Sequence, residues 1–455
     1  MKAAIICLLC AMASSIGWAL PPQEAQKMYD ELAPSLVAVQ YTVDGEFGRR
    51  ELIGQAVIIG EEGTVIASLA LFPTQIPDEQ MKDFKIIIPG DEEKELDAVF
   101  LGRDERSDLV FLKTREPQKW KALKFQEQPL NVGDEVISVG LLPKEAGYKV
   151  YYSQARVSAL LRGPVPHVLT TAEGLAATGS PVFTADGKPI GLVAYQQGQS
   201  MLLNGNNSAM QLLANPPRFF VPARDFLPSL SDPPKGEPLR LPWVGAPLIG
   251  ITKEVAEYYN MKNATAAQVG EVIPQSPAAK AGLKAGDKIV KVNGEKLERG
   301  DEPEETPRIL LRKIRRMKPG DKIVLSVMRE KDKPSTDITV TLEEQPRQAN
   351  LARRFYAEDL GMSVREVVFA DTYAKRVAAD TKGVVVAYVR QASSAASASL
   401  RMGDLVTEIN KTAVADLEGF KKTYKDFRAK SPKEQVVLVV IREQKTEVIK
   451  IEPPQ

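Results

Sequence analysis

The chain has 455 residues, 44% hydrophobic and 26% charged, enough for about three domains of roughly 150 residues with cores of their own. Its 60 basic and 59 acidic residues nearly cancel, so no global field draws it to nucleic acid or an anionic membrane, and the composition excludes a disordered chain. There is a single histidine, His167, which removes most proton-shuttling and zinc chemistry.

Lys2 precedes a short apolar stretch, Ala3 to Ala13, which contains Cys7 and Cys10; small residues and Pro21-Pro22 follow. That order reads as a secretory signal over residues 1–19 with cleavage after Ala19, and Leu9 before Cys10 argues against a lipoprotein anchor. Removal of the signal leaves no cysteine, hence no disulfide and no cysteine nucleophile. No later apolar run reaches the roughly 20 residues that span a bilayer, so an exported protein of the periplasm or cell envelope, or a secreted one, is expected with no integral span.

Residues 35 to about 200 are rich in short extended runs bounded by turn residues, within a domain expected over 28–227. Examples are Leu36–Tyr41, Ala56–Ile59, Thr64–Ala67, Phe84–Ile88, Leu109–Leu112 and Glu135–Val139, with turns at Gly60–Gly63 and Asp186-Gly187. The pattern predicts a barrel or sandwich. A proline-rich stretch around residues 228–241 reads as a semi-stiff linker.

The remainder holds an internal repeat. Ser276-Pro-Ala-Ala-Lys-Ala-Gly-Leu-Lys-Ala-Gly-Asp287, followed by Asn293, recurs as Ser393-Ser-Ala-Ala-Ser-Ala-Ser-Leu-Arg-Met-Gly-Asp404, followed by Asn410. Each copy has flanking strands, a later helix and a closing strand pair, which gives domains at 242–342 and 350–453. A helix is expected over Pro307–Arg316, with Leu310 and Ile314 one turn apart on its apolar stripe. Arg308, Arg312, Lys313, Arg315 and Arg316 lie around its other faces, read as a solvated surface rather than a site for acidic peptides. In the second copy Leu417, Phe420, Tyr424 and Phe427 form an apolar stripe, by default core.

The repeated blocks resemble PDZ domains of the kind attached to bacterial HtrA/Deg proteases. The second copy departs from the pattern at Ser394, Ser399 and Lys411, where the first has proline and two glycines. The resemblance implies peptide binding along a sheet edge, with backbone amides receiving a C-terminal carboxylate. Those loops would be Trp243-Val244-Gly245-Ala246 and Leu360-Gly361-Met362-Ser363, and the grooves would be lined by Leu310 and Ile314 and by Phe420 and Tyr424.

The first half looks like the trypsin-like double β-barrel of the same family. In the register of Gly54–Leu71 the catalytic histidine position is Ala70, Arg106–Lys113 places the aspartate at Asp108, and Ala176–Phe183 puts the serine position at Thr178. The glycine near the nucleophile becomes Ala176, which alters the oxyanion pocket. The overall expectation is a mainly β chain: a double barrel followed by two PDZ domains.

A serine or threonine hydroxyl without a base is a poor nucleophile, and Ala70 cannot accept a proton. His167 comes from the second barrel, whereas the family's base comes from the first, so a rescue would need different geometry. Thr178 or Ser180 activated by a lysine is the remaining hydrolytic route, and no spacing selects such a lysine. No metal, cofactor or nucleotide loop is expected. The expected function is therefore that of a non-catalytic, exported HtrA-like protein with a scaffold or chaperone-like role, binding peptide C-termini or unfolded segments. A serine endopeptidase with an atypical site and a structural envelope protein are the alternatives. Family members often form trimers, which makes a homo-oligomer an expectation by resemblance.

Overall fold

Runs of β-branched and aromatic residues in the first half of the chain close into two six-stranded barrels. The computed structural model describes residues 21–45, 48–72, 76–90, 94–116, 118–161, 167–170, 174–194, 218–236, 241–261, 265–300, 304–331, 333–375 and 381–452. The expected secretion signal lies outside these residues.

The first barrel contains β1 (Leu36–Gly45), β2 (Gly48–Ile58), β3 (Thr64–Ser68), β4 (Met81–Ile88), β5 (Lys94–Asp104) and β6 (Leu109–Thr114), closed in the order β1-β2-β3-β6-β5-β4. The second contains β7 (Glu135–Leu141), β8 (Val150–Leu161), β9 (His167–Thr170), β10 (Pro181–Thr184), β11 (Pro189–Val193) and β12 (Arg218–Pro222), closed as β10-β11-β12-β9-β8-β7.

Alternation along the strands decides what faces what. In β1, Val37, Val39, Tyr41 and Val43 fill the first barrel, while Leu36 and Ala38 join apolar clusters outside it. Val136, Val157, Val182 and Phe220 fill the second barrel. Val57, Ile66, Phe111, Ile137, Phe183 and Phe226 close the seam between the two, sealed by Leu32 at the end of the N-terminal helix Pro22–Leu32. Each such side chain contributes about 1.5–3 kcal/mol of burial, so the seam is a rigid base for what sits at its rim.

The first repeat contains β13 (Pro242–Trp243), β14 (Leu248–Gly250), β15 (Ala267–Val269), β16 (Lys288–Val292), β17 (Glu295–Lys296), β18 (Lys322–Met328), β19 (Thr336–Thr341) and β20 (Glu343–Glu344). Its sheet runs β14-β15-β16-β18-β19, with β13 paired separately to β20. The second repeat contains β21 (Arg354–Ala357), β22 (Met362–Glu366), β23 (Val384–Val389), β24 (Leu405–Ile409), β25 (Thr412–Ala413), β26 (Val436–Arg442) and β27 (Lys445–Ile451), ordered β21-β22-β23-β24-β26-β27. The groove helices are Glu305–Arg315, which begins two residues before the expected Pro307, and Leu417–Lys430.

The repeated motif has one structural role in both copies. Ser276 and Ser393 cap short helices, each hydroxyl accepting an amide three residues on at 3.2 Å. Asp287 and Asp404, 3% and 2% exposed, take bidentate bonds from Arg329 and Arg442. Asn293 and Asn410 turn the chain at φ 48° and 46° and accept the amides of Val324 and Val437. Where the second copy lacks glycine it holds Ser399 and Lys411 in the left-handed region, at φ 61° and 68°, which costs on the order of 1 kcal/mol each.

Candidate functional site

The cleft positions are built from both barrels. Ser68 ends β3, and its hydroxyl accepts the Ala70 amide at 3.3 Å, which fixes the turn Leu69–Leu71 and leaves Ala70 exposed. The Leu69 amide donates to the Asp108 carbonyl at 2.9 Å, so the turn and the start of β6 are joined. Thr178 arrives from the second barrel on the loop before β10; a side chain on the following Gly179 (φ 83°) would lie 3.4 Å from Ser68 Cβ. Ala70 and Asp108 are thus linked through Leu69, and the loop that carries Thr178 passes beside Ser68.

Asp108 stands at the rim with φ 59°, and its carboxylate makes no hydrogen bond among the described residues. The protein packed around it raises its pKa above the ordinary range, and the charge of Glu105 adds to this, although the residue still reaches solvent. The Thr178 hydroxyl is likewise unbonded among the described residues. His167 lies in β9 opposite Leu161.

The loop carrying Thr178 is held from within. Gln55 on β2 donates to the carbonyls of Ala177 and Thr178 at 3.1 and 2.8 Å and to Ser180 Oγ at 2.6 Å, while its own oxygen accepts the Leu141 amide at 3.1 Å. Ser180 is fully buried by this contact. The Ala176 amide donates to the buried Ser138 hydroxyl at 2.7 Å, and the Ala177 amide to Tyr151 at 2.8 Å. In serine-protease chemistry the amides of the nucleophile and of the residue two before it receive the oxyanion. Here the second of these is bonded inward. Gly140 permits that packing, because a side chain there would come within 2.9 Å of both Ala176 Cβ and Ser180 Oγ. Sequence reasoning misses Gln55, Ser138, Gly140 and Tyr151, since each acts across a long stretch of chain and no local spacing marks it.

The first carboxylate-type loop has the opposite arrangement. Its carbonyls are taken: Ala278 donates to Val244 O at 2.8 Å, and Ile273 and the Ser276 hydroxyl to Gly245 O at 2.9 and 3.2 Å. Its amides, those of Val244, Gly245 and Ala246, donate to no described residue. Gly245 is required, since at φ 83° a side chain would come 2.1 Å from Ser276 Cβ. Trp243 pairs with Glu343, and the outer edge of β14 is unpaired among the described residues. Leu310 and Ile314, each 2% exposed, belong to the domain core.

The basic face of the first groove helix is not simply solvated, contrary to the expectation from its charge pattern. Arg312 and Arg316 pair with Asp225 beyond β12, the latter at 3.3 Å, and Lys313 with Glu295 at 3.0 Å. Asp225 was invisible as a partner because it lies in another domain.

In the second domain Leu360, Met362 and Ser363 are buried, and the Gly361 amide is taken by Ala357 O at 3.0 Å. Phe420 and Tyr424 stack with centroids 6.1 Å apart, both buried. Among the described residues no cluster of three or more His, Cys, Asp or Glu side chains could hold a metal, and no helix is long and apolar enough to cross a membrane.

Comparison with known proteins agrees with this architecture. The family model for the trypsin-like peptidase domain matches residues 54–192, and that for the PDZ domain matches 247–340 and 359–452. By class this is a trypsin-like double barrel carrying two PDZ domains. A protein of Bartonella henselae named "probable periplasmic serine endoprotease DegP-like" is 28% identical, covering 74% of this chain and 63% of its own length. A Pseudomonas fulva protein of the same name is 25% identical, covering 90% of this chain and 82% of its own. The solved HtrA-type protease AlgW with tripeptide shares the fold at TM-score 0.53 and 20% identity, covering 71% of this chain and 98% of its own. The chain thus has the domain order of the HtrA/DegP-like proteins it is similar to, a trypsin-like peptidase domain followed by two PDZ domains.

Proposed function

We propose that this protein works in the periplasm as a peptide-binding member of its family that does not cut by serine-protease chemistry. Its double barrel serves as scaffold, and peptide C-termini or unfolded segments engage the first PDZ domain. One contrast carries the reading. At the cleft the Ala176 amide is bonded to Ser138 and the base position is Ala70, whereas the first PDZ loop leaves the amides of Val244, Gly245 and Ala246 without a described partner. A carboxylate needs the second arrangement, and an oxyanion is poorly served by the first. The relatives' names describe serine endoproteases; the residue types at Ala70, Ala176 and Thr178 are what supports a different activity for this chain.

Two measurements test it. Incubated with casein, the full chain is expected to release no peptides, and so is Ala70→His/Thr178→Ser, because restoring base and nucleophile leaves the Ala176 amide on Ser138. Cleavage by the natural chain that disappears in Thr178→Ala would overturn the reading. For binding, a free-carboxylate peptide is expected to bind at least about tenfold tighter than its amidated form, the loss of charge-assisted hydrogen bonds being worth more than about 1.4 kcal/mol.

A further inference from the structure

We infer that the groove of the second PDZ domain is filled by the domain's own residues 354–357 and is a latent site for C-termini with an aromatic residue two positions before a small last residue. This deepens the peptide-binding reading above and rests on it, but concerns the second domain alone.

The two domains differ in where the strand before the loop goes. In the first, β13 pairs with β20 and the outer edge of β14 is left unpaired among the described residues. In the second, β21 pairs with β22 along its length, Arg354 opposite Arg365 through Ala357 opposite Met362. The other edge of β22 pairs with β23, so no edge remains for a ligand strand. A peptide ligand adds antiparallel to this strand beside the helix, with its C-terminus at the loop, and β21 does the same within the chain.

The likeness extends to chemical detail. The Ala357 carbonyl accepts the Gly361 amide at 3.0 Å, where a ligand's carboxylate would, and shares it with the Glu358 carbonyl at 3.1 Å. Ala357 is 2% exposed, so the place beside it takes a small side chain. Two residues earlier, the Phe355 ring meets Phe420 and Tyr424 edge-on, with centroids 6.3 and 5.6 Å away, and the Lys425 ammonium lies 6.0 Å from its centre. Phe420 and Tyr424 thus line a pocket that the chain fills itself. A latch holds the turn: Asp359 accepts the Tyr424 hydroxyl and pairs with Arg428 at 2.8 Å, while Arg353 at the far end pairs with Glu366 and lies 3.8 Å from Glu418.

A strand tethered by so short a turn competes at an effective concentration in the millimolar range. A free peptide therefore sees an affinity reduced by the fraction of time the groove is open. Pre-existing occupancy of this kind makes the second domain a site that responds only when β21 is released.

The probe is a fluorescein-labelled peptide Arg-Arg-Phe-Tyr-Ala with a free carboxylate, the sequence of residues 353–357, added to the full chain. Phe355→Ala, which empties the pocket, is expected to bind it at least tenfold tighter than the natural chain, and Asp359→Asn to fall between. In the natural chain, saturating peptide should speed amide exchange at residues 354–357 while β24 and β26 stay protected. The inference is overturned if a folded Phe355→Ala binds no tighter. Should that variant not fold, it is overturned if residues 354–357 of the natural chain exchange in step with β24 and β26 and ignore the peptide. Free-carboxylate peptides that bind the first domain while Phe355→Ala gains nothing sink this inference alone; no binding at either domain sinks the broader reading.

Discussion

Asp108, the position expected for a triad aspartate, sits in the left-handed region at φ 59° with no hydrogen bond to its carboxylate among the described residues. Its carboxylate is crowded by protein and faces the charge of Glu105, both of which raise its pKa. A carboxyl whose folded pKa lies above the unfolded value of about 3.9 costs stability wherever it is charged in both states, that is, above the folded pKa. The cost disappears once pH falls below the unfolded value. Asparagine tolerates the left-handed backbone at φ 59° and carries no charge. Asp108→Asn is therefore expected to gain on the order of 0.5 kcal/mol at pH 7 in urea unfolding, typical of a rim position. The gain should fade as pH falls and be absent below about pH 3.9. A loss of stability at pH 7 would mean that the charge supports the cleft. The run Gly54–Leu71 made a strand, turn, strand and second turn legible, and the structure has Ala70 on that second turn, Leu69–Leu71. The inward bond from Ala176 to Ser138 was not: it depends on how β7 and the loop before β10 pack, which sequence spacing does not encode.

At the scale of elements, the repeated Gly-Asp motif is a folding device. Asp287 and Asp404 each join the strand start that follows the short helix to an arginine at the end of a distant strand, Arg329 or Arg442, and each also accepts an amide three residues earlier at 2.9 Å. The copies differ in how dry the pair is. The Arg329 side chain is 40% exposed and keeps its water when Asp287 is removed, whereas Arg442 is only 13% exposed and keeps one counter-charge, Glu447 at 2.8 Å. Asp404→Ala is expected to cost about 2 kcal/mol in chemical denaturation of the second domain, the loss of charge-assisted hydrogen bonds with Glu447 still facing Arg442, and Asp287→Ala clearly less in the first. Equal losses would show that the shared amide bond, not the ion pair, carries the effect. The motif made both PDZ domains legible, but it said nothing about β21. An extended run before the loop can pair with the neighbouring strand or with a strand end elsewhere, and that choice is tertiary. Pro242 offers a partial signal in hindsight: β13 carries a proline, which lacks a ladder donor, while Arg354–Ala357 does not.

At the scale of the whole molecule, the first PDZ domain is docked on the second barrel rather than strung from a free linker. Asp225, 10% exposed at its side chain, receives Arg312 and Arg316 from the groove helix; Lys318 lies 3.6 Å from Asp232, and the Gly236 amide donates to Leu101 O at 2.7 Å. Burial weakens the hold of Arg312 on its proton, and Asp225 offsets that. On its other side the first domain meets the second through the edge of Trp243 on Phe369, centroids 5.8 Å apart, and through Tyr373 donating to Glu271 at 2.7 Å. Both contacts lie next to the loop Trp243–Ala246, so the loop that offers its amides is bracketed by the two neighbouring domains. Asp225→Ala removes the carboxylate that Arg312 and Arg316 share, and the helix can relieve that cost by lifting away from the barrel into water. The expected result is faster limited proteolysis within residues 227–242, by at least about threefold, a rate set by the population of the opened state and corresponding to about 0.65 kcal/mol. Unfolding of the barrels should be unchanged, since Asp225 lies outside the seam clusters. Raising the salt should accelerate cleavage of the natural chain less than the substitution does, because a partly buried pair is poorly screened. A proteolysis rate unmoved by Asp225→Ala would place the docking force in the linker's own contact at Gly236 and Leu101 instead.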